Sequence, residues 1–467
     1  MVFSSLSFLV VFLPILFITY FLVPMKMRGT RNFVLLAFSL GFYGYSGPKL
    51  LLLMLASITI NYLTGIYVNK SETIHKKTAL ALAISLNIGL IIYFKYAGFL
   101  VESINSFKLD LPIPQIILPI GISFFTFQGL SYVIDVYRGN AKVQKNPLKV
   151  ALYIALFPQL VAGPIVRYTT IAEAIDDRQE SIELFSEGTV RFIYGLAKKM
   201  VLANAFGEIA DVAFAGSALT ASFAWLGAIA YALQIYFDFS AYSDMAIGLG
   251  KMFGFHFLEN FNYPYVASSI TDFWRRWHIS LSTWFRDYVY IPLGGNRCSK
   301  SRHILNMLIV WLLTGLWHGA SWNFVLWGLW YFLLLAGEKY LWHNVLKKLP
   351  KVMAHSYSML LVLLGWVLFR AADFTSVKIY LLAMFKWRLE GIDGKTVYYF
   401  LEYWPEWLLG FFLIFPIYPY LKGIWPKEKH WPLWWGIIEK GFALLLLLIS
   451  YTKLLNGAFN PFIYFRF

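Results

Sequence analysis

The sequence predicts an all-α, polytopic membrane protein, and three observations carry that reading. Of its 467 residues, 59% are hydrophobic and only 14% are charged, more apolar surface than a soluble core would hide. Many apolar runs approach the roughly 20 residues that cross a bilayer as a helix. The 40 Lys and Arg residues fall mostly in short loops between those runs, where they act as topology determinants rather than as a nucleic-acid face. The strict alternation of outer-membrane strands is missing. Cys298 is the single cysteine, which excludes an intramolecular disulfide and a Cys-based zinc cluster. The carboxylates do not cluster, so no metal is expected.

The elements follow in order. The first run, through Val23, has neither a basic leader nor a small-residue cleavage site and reads as a retained helix. The basic loop Lys26–Arg31 belongs inside, so the N-terminus faces outward. Asn32–Tyr45 and Leu50–Val68 form a return pair around Ser46, Gly47 and Pro48, and Thr78–Phe94 runs outward again. Leu118–Gly139 carries Gly, Ser, Thr and Gln, which favour close packing or polar lining over lipid contact. Leu152–Arg167 is interrupted by Pro158, Gly163 and Pro164 and reads as a broken or re-entrant segment. Glu173–Glu187 reads as a surface loop or amphipathic helix, and Val190–Phe206 and Ala221–Phe237 as further helices. Asp238 and Asp244 then fall near membrane depth, where they would serve as cation ligands or helix caps. His355–Phe369, Glu406–Tyr420 and Gly436–Leu455 complete about 11–13 membrane segments. The tail NGAFNPFIYFRF emerges outside and is too aromatic to hang in water, so it folds back. No long linker or internal repeat is evident, and residues 1–467 read as one domain.

Chemistry concentrates in Ile270–Trp330. His318 lies in GLWHGASWN at the end of an apolar run. An ionisable residue at membrane depth marks function by default, and a neutral imidazole can take a proton from an attacking hydroxyl. Gly315 and Gly319 would leave room beside it for substrate. His278 lies in DFWRRWHISLSTWFRD, where Trp274, Trp277, Leu281 and Trp284 suit an interfacial helix face. Its charged and aromatic members Arg275, Arg276, Trp277, Trp284, Arg286 and Asp287, with Asn323 of the following segment, are candidates for holding an anionic donor. PLGGNR (Pro292–Arg297) lacks Walker spacing and reads as a turn. Tyr464 reads as an interface anchor. Its phenol, with a pKa of about 10, would also leave more easily than a sugar hydroxyl.

The stretches DFWRRWHISLSTWFRDYVYIPLGGNR and LLTGLWHGASWNFVLWG resemble the membrane-bound O-acyltransferase (MBOAT) family. Within it they resemble the bacterial branch that acetylates alginate or peptidoglycan. The resemblance implies helices around a tunnel, His318 as the catalytic residue, His278 as a second functional histidine, and Tyr464 as an acyl carrier. Arg466 stands where a glutamine is often expected. It further implies acetyl-CoA as donor, a cell-envelope polysaccharide as acceptor, the bacterial inner membrane as location, and an extracytoplasmic SGNH-hydrolase-like partner. Two other readings use the same residues differently: a transporter or flippase of an acylated intermediate, and a scaffold for an external enzyme.

Overall fold

In a computed structural model of the chain, residues 1–70, 73–216, 219–386, 391–417, 420, 433–456 and 462–463 are described. They are helical with connecting turns and contain no strand. Three described helices are long and apolar enough to cross a membrane: Pro48–Lys70 (α1), the continuous run Ile74–Asn105, which begins in Thr73–Ile91 (α2), and Lys351–Arg370. Other apolar runs are shorter or carry polar residues.

The chain groups into two compact units, residues 1–192 with 242–258, and residues 193–241 with 259–467. In the first, α1, α2 and Ile122–Arg138 (α3) pack together. Asn61 of α1 and Asn87 of α2 exchange amide hydrogen bonds at 3.1 Å, which satisfies two buried amides. Gly65 lies against the Tyr132 ring and Gly129 against Asn61, where a Cβ would collide. The interruption expected at Pro158 is observed: Pro147–Ala155 ends, Phe157–Leu160 forms a single turn, and residues 150–166 are buried. The loop after Tyr168–Asp176 carries Arg178 and Glu180, which bind Tyr20, Arg28, Arg31 and Asn32.

In the second unit, Ala221–Met252 (α4) contributes its N-terminal part, and is longer than the sequence pattern suggested because it continues through Asp238 and Asp244. Ile270–Arg276 (α5) and Ile279–Phe285 (α6) are separated by Trp277 and His278. Lys300–His318 (α7) and Trp322–Tyr340 (α8) form a hairpin, with Lys351–Arg370 (α9) packed on α8. Gly315 and Gly328 allow α7 and α8 to meet backbone to backbone. A Cβ on Gly315 would strike the Phe324 carbonyl, and one on Gly328 the Trp311 carbonyl. Buried Glu338 of α8 accepts from Ile270 N at 2.6 Å and Thr271 N at 2.9 Å, capping the N-terminus of α5. PLGGNR is the expected turn: Gly294 and Gly295 take φ of +110° and +55°, and Asn306 donates to the Leu293 and Gly295 carbonyls.

Candidate functional site

His318 is the last residue of α7, and the chain leaves the helix through extended Gly319. The imidazole is buried among the rings of Trp317, Trp327 and Phe369, at centroid distances of 5.0, 5.1 and 5.2 Å. The space expected beside it is already filled. A Cβ on Gly319 would strike the Phe324 ring, and Gly315 is used by the helix crossing, so both glycines serve packing of α8 rather than substrate entry.

His278 stands between two seven-residue helices with φ +44° and ψ 54°, a left-handed conformation that costs a non-glycine residue about 1–3 kcal/mol. Asn260 holds it there. The Asn260 carbonyl accepts from Ile279 N at 3.0 Å, and its Oδ1 accepts from Ser280 N at 3.1 Å and Ser280 Oγ at 2.9 Å. The Ser280 N–H can only donate, which fixes the oxygen of the amide on this side. His278 Nδ1, 3.2 Å from the same oxygen, must then carry the proton, and Nε2 is the acceptor nitrogen. Asn260 lies 18 residues before His278, and no local pattern in the sequence marked it.

The two histidines share a neighbour. The Trp317 ring lies 5.7 Å from His278 and 5.0 Å from His318. Phe239 of α4 closes over His278 at 4.6 Å. Ile463, near the C-terminus, belongs to the same buried cluster as Phe239, Trp277, Trp327 and Phe369. The folded-back tail is therefore observed at Phe462 and Ile463, both buried, whereas Tyr464 and Arg466 lie outside the described residues.

Most members of the proposed donor-binding set have partners within the protein. Trp277 is buried against Phe261, Phe273 and Trp366, and Trp284 against Phe285 and Tyr288. The interfacial helix face expected for Trp274, Trp277 and Trp284 is thus corrected: the helix breaks at His278, and these indoles turn into the core because they supply its volume. Arg276 pairs with Asp272 at 2.9 Å and Arg286 with Asp287 at 2.6 Å. Asn323 donates to the Ala371 carbonyl at 2.7 Å. Arg275 is exposed.

Asp238 and Asp244 are likewise not caps or cation ligands. Asp238 pairs with Lys199 at 2.6 Å and Asp244 with Arg191 at 2.9 Å. Among the described residues no group of three His, Cys, Asp or Glu side chains is placed to hold a metal ion.

Residues 140–377 match the model of the MBOAT, membrane-bound O-acyltransferase family. A probable alginate O-acetylase AlgI of Azotobacter vinelandii is 44% identical over 80% of this chain and 76% of that protein. A second, of Pseudomonas putida, is 38% identical over 100% of both chains. A peptidoglycan O-acetyltransferase of Helicobacter pylori is 35% identical over 80% of this chain and 78% of its own length. The match spans the buried histidine pair and the helices that place it, and this chain belongs to the membrane-bound O-acyltransferase family: it is a membrane-embedded acyltransferase.

Proposed function

We propose that the chain moves an acetyl group from cytoplasmic acetyl-CoA, across the bacterial inner membrane, to hydroxyls of a cell-envelope polysaccharide, with both of its termini on the outer side. One observation carries the reading: two buried histidines, His278 and His318, pack on one indole, Trp317, and Ile463 of the tail belongs to the buried cluster of Phe239, whose ring packs on His278. The names of the relatives, which act on alginate or peptidoglycan, support the class of acceptor.

The donor thioester and the polymer lie on opposite sides of the membrane, so a carrier is chemically sensible. His318 accepts the phenolic proton of Tyr464 as the phenolate attacks the thioester carbonyl. The C–S bond breaks, and the coenzyme leaves as a thiolate that takes the proton back from the imidazolium. The acetyl group is then an ester of Tyr464. In the second half an acceptor hydroxyl gives its proton to the base and attacks that ester, and the phenolate leaves and is reprotonated. A phenol of pKa about 10 is the better leaving group against a sugar alcohol, so the second transfer runs downhill. His278, with Nε2 as acceptor, orients the reacting groups or relays the proton. The donor-facing residue is Arg275, exposed like Arg286 but outside the ion pairs that Arg276 and Arg286 make with aspartates. An SGNH-hydrolase-like partner outside the membrane completes delivery to the polymer.

The test is incubation of the purified chain with acetyl-labelled acetyl-CoA. Label on Tyr464, absent in Tyr464→Phe and in His318→Ala, is the expected result. Donor binding without any covalent label, with the partner present, would favour transport of an acylated species instead. Unchanged polymer acetylation in His318→Ala would reduce the chain to a scaffold.

A further inference from the structure

Phe462 and Ile463 are held by a buried ion pair. Lys199 lies in the π-turn Lys198–Ala203 and Asp238 in the middle of α4. Nζ and Oδ1 are 2.6 Å apart, and each side chain is 2% exposed. The second oxygen of Asp238 accepts from the backbone N–H of Ile463 at 2.6 Å. The Lys199 ammonium sits 4.9 Å from the centroid of the Phe462 ring, within cation–π range. Each member of the pair therefore reaches the tail, the carboxylate through its backbone and the ammonium through an aromatic ring.

Burying an ammonium and a carboxylate is a poor way to stabilise a fold, because desolvation offsets their attraction and an apolar pair of similar size does as well. What this pair adds is register. A carboxylate-to-amide bond is charge-assisted and fixes one backbone atom of the tail. Lys199 lies where an extra residue widens the helix, a feature that recurs at functional sites. The seat is also adjacent to the histidine site. Asp238 directly precedes Phe239, whose ring packs on His278 at 4.6 Å, and Tyr464 follows Ile463 in the chain.

We infer that Lys199 and Asp238 are positioning residues that seat the backbone at Ile463 and so set the register of the C-terminal segment for acyl transfer. This rests on the reading of Tyr464 as the acyl carrier. The seat recognises the N–H of residue 463 and an aromatic ring at residue 462, so it would take any tail that keeps those two features.

The test uses the full chain with Cys298→Ser and Phe467→Cys, in proteoliposomes, with a polar maleimide as probe of the tail and labelled acetyl-CoA as donor. Asp238→Ala is expected to raise the maleimide rate and to lower acetyl transfer, each by about tenfold or more, with the KM for acetyl-CoA unchanged. Asp238→Asn keeps an oxygen acceptor for Ile463 and should lie nearer the parent. The double variant Lys199→Met with Asp238→Leu removes both charges together, so a folded double variant, checked by thermal unfolding, excludes misfolding as the cause. It should show the same loosened tail and reduced turnover. A folded double variant with parental tail protection, or a loosened tail with parental turnover, would overturn the inference. Failure of the carrier reading looks different: Tyr464→Phe would still transfer acetyl, while Asp238→Ala would still expose the tail.

Discussion

The Glu180 cluster and the histidine site are both buried and polar, yet they are built in opposite ways. Glu180 is ringed by charge. Arg28 donates to it, Arg31 lies 3.2 Å away and Arg178 3.5 Å away, and Tyr20 donates to it at 2.5 Å. Arg178 is spent in full, donating to Tyr20, Asn32 and the Phe253 carbonyl at 2.7–2.9 Å. The imidazoles of His278 and His318 are instead walled by rings. A saturated charge network locks one arrangement of loops, whereas an aromatic wall excludes water around a base without committing the base to a counter-ion. On the proposed function the first design holds and the second reacts, and substitutions should separate them.

The largest separation is expected at His318. His318→Ala should cut acetyl transfer by about 10²–10⁴-fold, the usual contribution of a general base, with a melting temperature in detergent close to the parent. A rate within a factor of a few of the parent would break the comparison. Arg178→Ala should do the reverse. Removing one member of a fully buried, hydrogen-bonded charge group costs about 3–5 kcal/mol, so the yield of folded protein and its denaturation midpoint should fall. Turnover per folded molecule should stay unchanged. A proportional loss of turnover would place Arg178 in the chemistry.

The local turns and helix ends were legible, whereas Glu173–Glu187 read as a surface loop or amphipathic helix and not as the seat of a buried charge network. Pro158, PLGGNR and the end of the apolar run at His318 are written in turn and helix-stop chemistry, which acts over a few residues. The resemblance of the DFWRRWH and GLWHGASWN stretches pointed to both histidines. What could not be read were partners distant in sequence. Nothing near Asn260 says that its side chain will fix the His278 turn, and nothing near Asp238 says that Lys199 and Ile463 will meet it. The tryptophans misled for a related reason. Their spacing fits one amphipathic helix, but a single left-handed residue at His278 splits that helix and redirects every side chain after it. Gly315 and Gly319 carried the signal of a small-residue face, which is equally the signal of close packing between helices, and packing against α8 is what they serve.

A smaller effect should come from Asn260. Asn260→Ala removes the acceptor that holds the His278 tautomer and turn, and acetyl transfer should fall by about tenfold, the equivalent of one hydrogen bond. Asn260→Asp still accepts from Nδ1–H and from Ser280, and should recover most of the rate. Equal loss in both variants would mean that the oxygen acceptor at residue 260 is not what sets the rate.

Glu180 offers a pH test of the charge network. Burial raises its carboxyl pKa, but the hydrogen bonds from Arg28 and Tyr20 and the charges of Arg28 and Arg178 outweigh that, and the net shift is downward. A depressed folded-state value means that the stabilisation is complete above the ordinary Glu range of about 4.3 and is lost as pH falls through the lower folded value. Melting temperatures of the parent and of Glu180→Gln should therefore differ most near neutrality and converge below about pH 4. A gap that widens on acidification would contradict the sign.

The finest distinction lies among the arginines around His278. Arg276 and Arg286 resemble the network in miniature, each already neutralised by a neighbouring aspartate and partly solvated, so Arg276→Gln and Arg286→Gln should each change the KM for acetyl-CoA by less than about twofold. Arg275 is exposed at the end of α5. If it meets the donor phosphates, Arg275→Gln should raise the KM several-fold and flatten its dependence on salt, because an exposed charge acts through a screened field. The three variants thus ask whether donor recognition uses a charge already committed within the protein or one left over. Equal and small effects at all three would move donor binding away from this stretch, leaving it the single task of placing His278.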